Sequence, residues 1–222
     1  LDDYCFSREP NTGKLEWVKV DKLVSYPYKG KMYKYEGKNI DIMTTPNHRL
    51  FVNKYRTRNK VKVYNDEFIE AQNAFNSDFR FVSANGIWDG NKNNTIDVCD
   101  TVFNKKDFAY LLGIFITDGS VNKQGIITIS QFKPNIIDKI KSCLQRLEIP
   151  ISIYNTRNNG KIFYIPRKYL PFFEQFYLKE NRKIPVEFKE ASVDILNALM
   201  EGIIDGDGSE NRRIILGSKS LV

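Results

Sequence analysis

The chain has 222 residues, a mass of 25.9 kDa and a formal net charge of +7. Its 41% hydrophobic and 27% charged residues exclude a disordered or fibrous chain, and no apolar run approaches the ~20 residues of a membrane span. Such a length holds one large domain or two small ones. The basic balance, with a pI near 9.1, favours a polyanionic partner, nucleic acid before an anionic membrane. Cys5, Cys99 and Cys143 are odd in number and widely spaced, which fits neither a disulfide framework nor a Cys-rich zinc site. They read as reduced thiols of a cytoplasmic protein. The sequence opens Leu1-Asp2-Asp3 without a basic-then-apolar leader, so it reads as a chain cut at its front end.

Residues 1–52 read as short strands. Residues 15–20 and 32–35 alternate, and residues 37–43 carry Ile40 and Ile42 on one face. Turn chemistry separates them at Pro10-Asn11-Thr12-Gly13, Pro27, Lys29-Gly30 and Glu36-Gly37. This all-β segment is too short to close a core alone. Residues 53–104 are looser, rich in Asn, Lys and Asp, and are expected to form a connector with some strand content.

After residue 104 the texture changes. Residues 108–117 are a nearly continuous apolar run closed by Asp118-Gly119. Residues 125–132 read as a strand. Residues 134–147 read as an amphipathic helix with Pro134 in its first turn and Ile136, Ile140, Leu144 and Leu147 on one face. A hairpin is expected from residues 151–156 and 161–165 across Asn158-Asn159-Gly160, then an aromatic-rich helix over residues 167–178. Residues 194–208 repeat the earlier apolar helix. Gly113, Asp118, Gly119 and Ser120 match Gly202, Asp207, Gly208 and Ser209, so the chain contains an internal repeat.

Each repeat ends a helix in Asp-Gly. The glycine suits a left-handed C-cap. The aspartate stands at the negative pole of the helix dipole, where a carboxylate is disfavoured by about 0.3–1 kcal/mol. Gly113 and Thr117, like Gly202 and Gly206, are four apart, and small residues at that spacing let two helices approach closely. Such a pair would present Asp118 and Asp207 together, and hard oxygen ligands of this kind suit Mg²⁺. The carbonyls of Thr117 and Gly206 are further candidate ligands. Asp205 corresponds to Ile116 and is not a symmetric ligand.

Residues 111–119 and 200–208 resemble the two dodecapeptide motifs of the LAGLIDADG (DOD-type) homing endonucleases. Asn181-Arg182-Lys183-Ile184-Pro185 is similar to the basic segment that precedes the second motif in that family. There a lysine three residues before the proline assists cleavage. Here Arg182 holds that place and Lys183 follows it, so either is a candidate. The resemblance implies an α+β fold: a LAGLIDADG αββαββα unit over residues 105–180, then a truncated second pseudo-symmetric unit over residues 181–222. It also implies sheets that lie in the major groove of double-stranded DNA, and a monomer with pseudo-two-fold symmetry. Thr128, Ser130, Ser152, Tyr154 and Thr156 would then face base edges, with Arg157, Lys161, Arg167 and Lys168 near phosphates.

His48 is the single histidine. In Thr45-Pro46-Asn47-His48, after a glycine-led strand, the spacing resembles the B block of inteins, the self-splicing Hint fold. That resemblance makes residues 1–52 a partial Hint domain, with His48 and Thr45 polarising an upstream peptide bond. The initial nucleophile and the closing His-Asn of an intein are not in the sequence as given, so the chain is not expected to splice by itself. Two other readings stay open: a LAGLIDADG-like DNA- or RNA-binding module that does not cut, and a splicing-only remnant.

Overall fold

The computed structural model describes residues 3–37, 40–58, 61–82, 86–176 and 183–208. It is an α+β protein, and its internal contacts divide it into two compact units, Leu1–Trp88 and Asp89–Val222. That division falls earlier than the boundary expected near residue 104, and the expected edge at residue 52 lies inside a strand.

The first unit is built of hairpins. Strands β1 (Tyr4–Arg8) and β2 (Leu15–Lys19) pair antiparallel around a turn in which Gly13 has φ +73°. Strands β3 (Tyr33–Gly37) and β4 (Ile40–Thr44) form a second hairpin. Strands β5 (Arg49–Arg58) and β6 (Val61–Glu70) form a long third one. A one-turn helix α1 (Ala71–Ala74) follows, and β7 (Arg80–Phe81) joins the other edge of β5 at Val52 and Asn53. Leu50, Val52, Ala71 and Ala74 are the buried centre, ringed by Tyr33, Tyr35, Ile42, Ile69, Phe79 and Phe81. The long β5–β6 pair replaces the connector expected from residue 53. Beyond Val52 that ribbon leaves the core, so no apolar alternation betrays it.

The second unit opens with the hairpin β8 (Thr95–Val98) and β9 (Thr101–Asn104). Its two turn residues, Cys99 and Asp100, have φ 53° and 59°. A two-residue hairpin turn needs positive φ at both positions, usually met by Asn-Gly. Cys-Asp gives no such sequence signal, and the hairpin was absent from expectation. Helix α2 (Lys105–Asp118) follows, its first turn capped by Asn104 accepting from the Asp107 N–H at 3.1 Å. Phe108, Ala109, Leu111, Leu112, Ile114 and Phe115 are buried on every side of it. A helix apolar all round is a core helix.

Strands β10 (Gly119–Val121) and β11 (Ile127–Gln131), helix α3 (Pro134–Arg146), and strands β12 (Ser152–Asn155) and β13 (Lys161–Ile165) complete an αββαββ order. The sheet order is β10-β11-β13-β12. Ile127, Ile129, Phe163 and Ile165 turn one sheet face inward. Helix α3 starts at Pro134 and buries Ile136, Ile137, Ile140, Cys143 and Leu144, as its periodicity predicts.

The helix expected over residues 167–178, whose last two residues lie outside the described ones, is instead three short pieces as far as Phe176: a 3₁₀ turn at Arg167–Tyr169, α4 (Leu170–Phe173) and a 3₁₀ turn at Glu174–Phe176. Pro171 lacks an N–H and fits only a first helical turn, so the helix restarts there. Helices α5 (Val186–Lys189) and α6 (Val193–Asp207) end the described chain.

Helices α2 and α6 are in backbone contact through glycine. A Cβ on Gly113 would strike the Leu199 carbonyl and stand 2.9 Å from Ile203 N and 3.0 Å from Gly202 Cα. A Cβ on Gly202 would strike the Tyr110 carbonyl and stand 3.0 Å from both Gly113 Cα and Ile114 N. Every partner differs from its counterpart by the same 89 residues, and near the helix ends Gly206 likewise meets Thr117, 89 residues before it, so the two helices run parallel about a local two-fold.

Gly113→Ala and Gly202→Ala are therefore each expected to lower stability by about 2–3 kcal/mol, read as a lower urea midpoint at unchanged slope. Gly37→Ala, whose Cβ would make only an ordinary 3.6 Å contact with Ile40, should stay within about 0.5 kcal/mol.

Burial holds the Cys143 thiol protonated, pushing its pKa up to about 12, and the nearby Asp107 charge adds to this. The thiol of the unfolded chain titrates near ~8.5. The unfolded state therefore loses a proton first, and stability falls as pH rises from about 8.5 toward 12. Urea unfolding at pH 8, 9 and 10 should show this decline, and Cys143→Ala should flatten it.

Candidate functional site

The paired helix ends lie side by side. Gly206 faces Thr117, whose Oγ1 a Cβ there would strike, and that Cβ would stand 3.3 Å from Asp118 Oδ2. Asp118 and Asp207, the terminal residues of α2 and α6, occupy equivalent positions in this parallel pair. Thr117 Oγ1 donates back to Ile114 O at 2.9 Å. The Thr117 backbone carbonyl is among the last four of α2, the ones a helix cannot satisfy internally.

The capping glycines depart from expectation. Gly119 (φ −85°) and Gly208 (φ −71°) are extended rather than left-handed. They are small for reasons of space. A Cβ on Gly119 would strike Phe115, and one on Gly208 would strike the Ile204 carbonyl. Each glycine N–H donates to the carbonyl four residues back, Phe115 and Ile204.

Two residues absent from the sequence expectation build the surroundings. Gln131, 4% exposed at the end of β11, donates from Nε2 to Asp118 Oδ2 at 2.7 Å. Its Oε1 accepts the N–H groups of Phe132 and Lys133 at 2.8 and 3.0 Å. Those two bonds fix which amide atom faces the carboxylate, so Asp118 is held by a locked donor. Lys133 donates from Nζ to the carbonyls of Asp205 and Gly206 at 2.9 and 2.8 Å. A cation at a helix C-terminus complements the dipole, and here it also offsets the crowded acids. Gly206 O, expected as a metal ligand, thus accepts from an ammonium. The only sequence cue for either residue is a polar side chain at the end of an alternating strand.

Asp205 belongs to a different cluster. Its Oδ2 accepts from the Tyr110 hydroxyl at 3.0 Å and from Lys139 Nζ at 2.8 Å, and Lys139 also reaches Glu201 at 2.9 Å. Burial raises the Tyr110 pKa, and the Asp205 charge raises it further. Hydrogen bonding to Asp205 raises that of Lys139.

The remaining site residues are dispersed. Cross-strand pairing aligns Thr128, Tyr164 and Ser152, and likewise Ser130, Ile162 and Tyr154, on the outer sheet face. Ser120 shares that face and bonds Thr128 at 2.8 Å. Lys161 pairs with Gln131 and Asn155, on the opposite face, and donates to Asn155. Thr156 Oγ1 is enclosed beside Gly160 rather than presented outward. Arg157, Arg167 and Lys168 are exposed. Lys183 is exposed ahead of α5, and Arg182 lies outside the described residues.

In the first unit, Thr45 and His48 close a tight turn, with His48 N–H donating to Thr45 O at 3.1 Å around Pro46 and Asn47. Proline in this place is normal turn chemistry, which accounts for the spacing. Thr45 Oγ1 donates to Asn47 Oδ1 at 3.0 Å, and the His48 ring is exposed.

Residues 105–190 match a family model described as a LAGLIDADG-like domain. The match runs from α2 through α5 and stops before α6, so it covers one repeat. Over the whole chain, the sequence is 25% identical to the DNA-directed RNA polymerase subunit Rpo1C of Methanocaldococcus jannaschii, across 29% of that protein. Half of the chain is 30% identical to the ATP-dependent Clp protease proteolytic subunit of Chlamydomonas moewusii, across 9% of that protein. The chain therefore spans under a third of either curated relative. A solved structure of mesophilic variants from the homing endonuclease I-DmoI is also similar, at 16% identity and TM-score 0.34, covering 48% of this chain and 64% of that one. No helix among the described residues is long and apolar enough to cross a membrane.

Tyr110→Phe removes a buried hydrogen bond to a charged acceptor and should cost about 1.5 kcal/mol in urea unfolding. Lys139→Met, whose side chain is 44% exposed, should cost less than about 1 kcal/mol.

Proposed function

We propose that the second unit is the recognition and cleavage half of a site-specific DNA endonuclease, acting on double-stranded DNA by phosphodiester hydrolysis. One observation carries the reading: parallel helices locked at Gly113 and Gly202 bring two equivalent acids to one end of a LAGLIDADG-like domain. The donor set suits Mg²⁺. Among the described residues no group of three or more His, Cys, Asp or Glu side chains converges. An ion here would rest on Asp118, Asp207 and the Thr117 carbonyl, with the remaining positions for water and phosphate, the coordination Mg²⁺ favours. Bound there, the metal would supply charge stabilisation to the scissile phosphate.

The chain's own residues do the rest. Gln131 orients the Asp118 carboxylate. Lys133 lowers the negative potential of the α6 terminus, which would otherwise repel a phosphate. Lys183, or Arg182 beside it, is the further cation available to developing phosphate charge. The outer sheet face, with Thr128, Ser130, Ser152 and Tyr154, offers hydroxyls to base edges, and Arg157, Arg167 and Lys168 offer cations to the backbone. The two repeats make the active form a pseudo-symmetric monomer, and each acid serves one strand.

The first unit is read as part of an intein splicing domain. The relatives support this reading. Their names describe two unrelated activities, and the matched stretch is a minor part of each. An inserted element that occurs in different hosts has that distribution. His48 and Thr45 would act on the upstream junction in the parent chain.

The test uses the complete parent reading frame with Mg²⁺ and a library of randomised duplexes. Double-strand cleavage of a selected site is expected. Asp118→Asn and Asp207→Asn should each leave nicks in opposite strands, and the double variant should not cut. His48→Ala should accumulate unspliced precursor. Duplex binding without cleavage by the unaltered parent would instead establish a binding module.

A further inference from the structure

Lys133 stands where local rules disfavour a lysine. It is the N-cap of α3, a position that prefers Ser, Thr, Asp or Asn, and its side chain makes no capping bond. No acidic residue stands in the first turn of α3, so nothing there offsets a cation at the positive pole of that helix. Residues that break a local rule without local gain concentrate at functional sites.

The main chain of Lys133 is firmly held. Its N–H donates to Gln131 Oε1 at 3.0 Å, and its carbonyl accepts from the Ile136 and Ile137 N–H groups at 3.1 and 3.0 Å. The side chain thus leaves a fixed corner between β11 and α3 and crosses to the end of α6. There Nζ donates to Gly206 O at 2.8 Å and to Asp205 O at 2.9 Å. The same corner holds the other helix, since Gln131 Nε2 donates to Asp118 Oδ2 at 2.7 Å. It grips α2 through its acid and α6 through its carbonyls.

The two grips differ in charge. The 89-residue offset makes Gly206 O the counterpart of Thr117 O. Among the described residues no side chain donates to Thr117 O, whereas an ammonium donates to Gly206 O. Both carbonyl contacts of Nζ have the length of N–H···O bonds. Mg²⁺ needs oxygens much closer, at about 2.0–2.1 Å. A divalent ion on Gly206 O would sit against the ammonium, and like charges that close repel strongly. The carbonyls at the end of α6 are therefore already served by a cation, one covalently tied to the chain. Two of its three protons are used, which leaves one for a water or phosphate oxygen.

Resting on the metal reading of the site above, we propose that Lys133 is a tethered cation in place of a second metal ion. The site loads a single divalent ion, on the Asp118 and Thr117 side, and the ammonium serves the α6 side.

The test counts Mn²⁺ ions bound to the 222-residue chain, from the paramagnetic resonance signal of the free ion. The double variant D118N/D207N sets the baseline for adventitious binding. The unaltered chain should bind one ion above that baseline. Lys133→Ala should bind a second, and Lys133→Arg, which keeps the charge, should not. A merely structural lysine would not add an ion when removed. A single ion in Lys133→Ala overturns the proposal and leaves the metal site standing, and so does a second ion in the unaltered chain. No binding above the baseline in any of these proteins overturns the metal reading, and this proposal with it.

A second measurement needs no substitution. Amine acetylation of the unaltered chain, read by mass spectrometry, should label Lys133 no faster at Mn²⁺ concentrations that fill the first site than without the ion. Faster labelling would mean that the ion evicts the ammonium from the carbonyls, and would overturn the proposal.

Discussion

Everything in the second unit depends on how closely α2 and α6 approach. Their backbones touch at Gly113 and Gly202, and no larger side chain fits at either position. That contact does three things at once. It makes the pair parallel, fixes the register at 89 residues, and sets the two helix ends level with one another. A pair separated by ordinary side chains, at the usual 8–10 Å, would still fold, but its terminal acids would move apart. The glycine contact is thus a positional constraint on chemistry as much as a packing solution, and the surrounding core is arranged to hold it. Phe173 and Phe188 wall α2 through stacked and tilted contacts with its Phe108 and Phe115.

The symmetry is broken where it would be harmful. The offset relates Tyr110 and Asp205 to Leu199 and Ile116, so a hydrogen-bonded polar pair on one side corresponds to an apolar pair on the other. Asp205 lies two residues from Asp207 and would add a third negative charge at the helix end. Instead Tyr110 and Lys139 bind it on the flank. Lys133 then occupies the carbonyls of Asp205 and Gly206. The acids of the repeat remain as a matched pair, with a nearby cation limiting their mutual repulsion.

Much of this was legible in the sequence because spacing along a helix is itself geometry. Two small residues four apart, twice over, specify a close approach, and a repeated Asp-Gly specifies equivalent ends. The amphipathic α3 and the β12–β13 hairpin were legible for the same reason. Other elements were hidden by competing chemistry. The β5–β6 ribbon has cations where a core strand would have apolar residues. The β8–β9 turn uses Cys-Asp in place of a recognisable pair. Pro171 divides an apparently continuous helix. Gln131 and Lys133 act through partners distant in sequence, Asp118 and Gly206, and no local pattern marks such a pairing. The glycine caps were read correctly as termini and wrongly as left-handed, because a sequence cannot tell a demand for positive φ from a demand for empty space.

Charged groups near the helix ends of the second unit meet specific partners: Asp118 with Gln131, Asp205 with Tyr110 and Lys139, the α6 carbonyls with Lys133. Such pairing orients groups, and orientation is what a reacting centre requires.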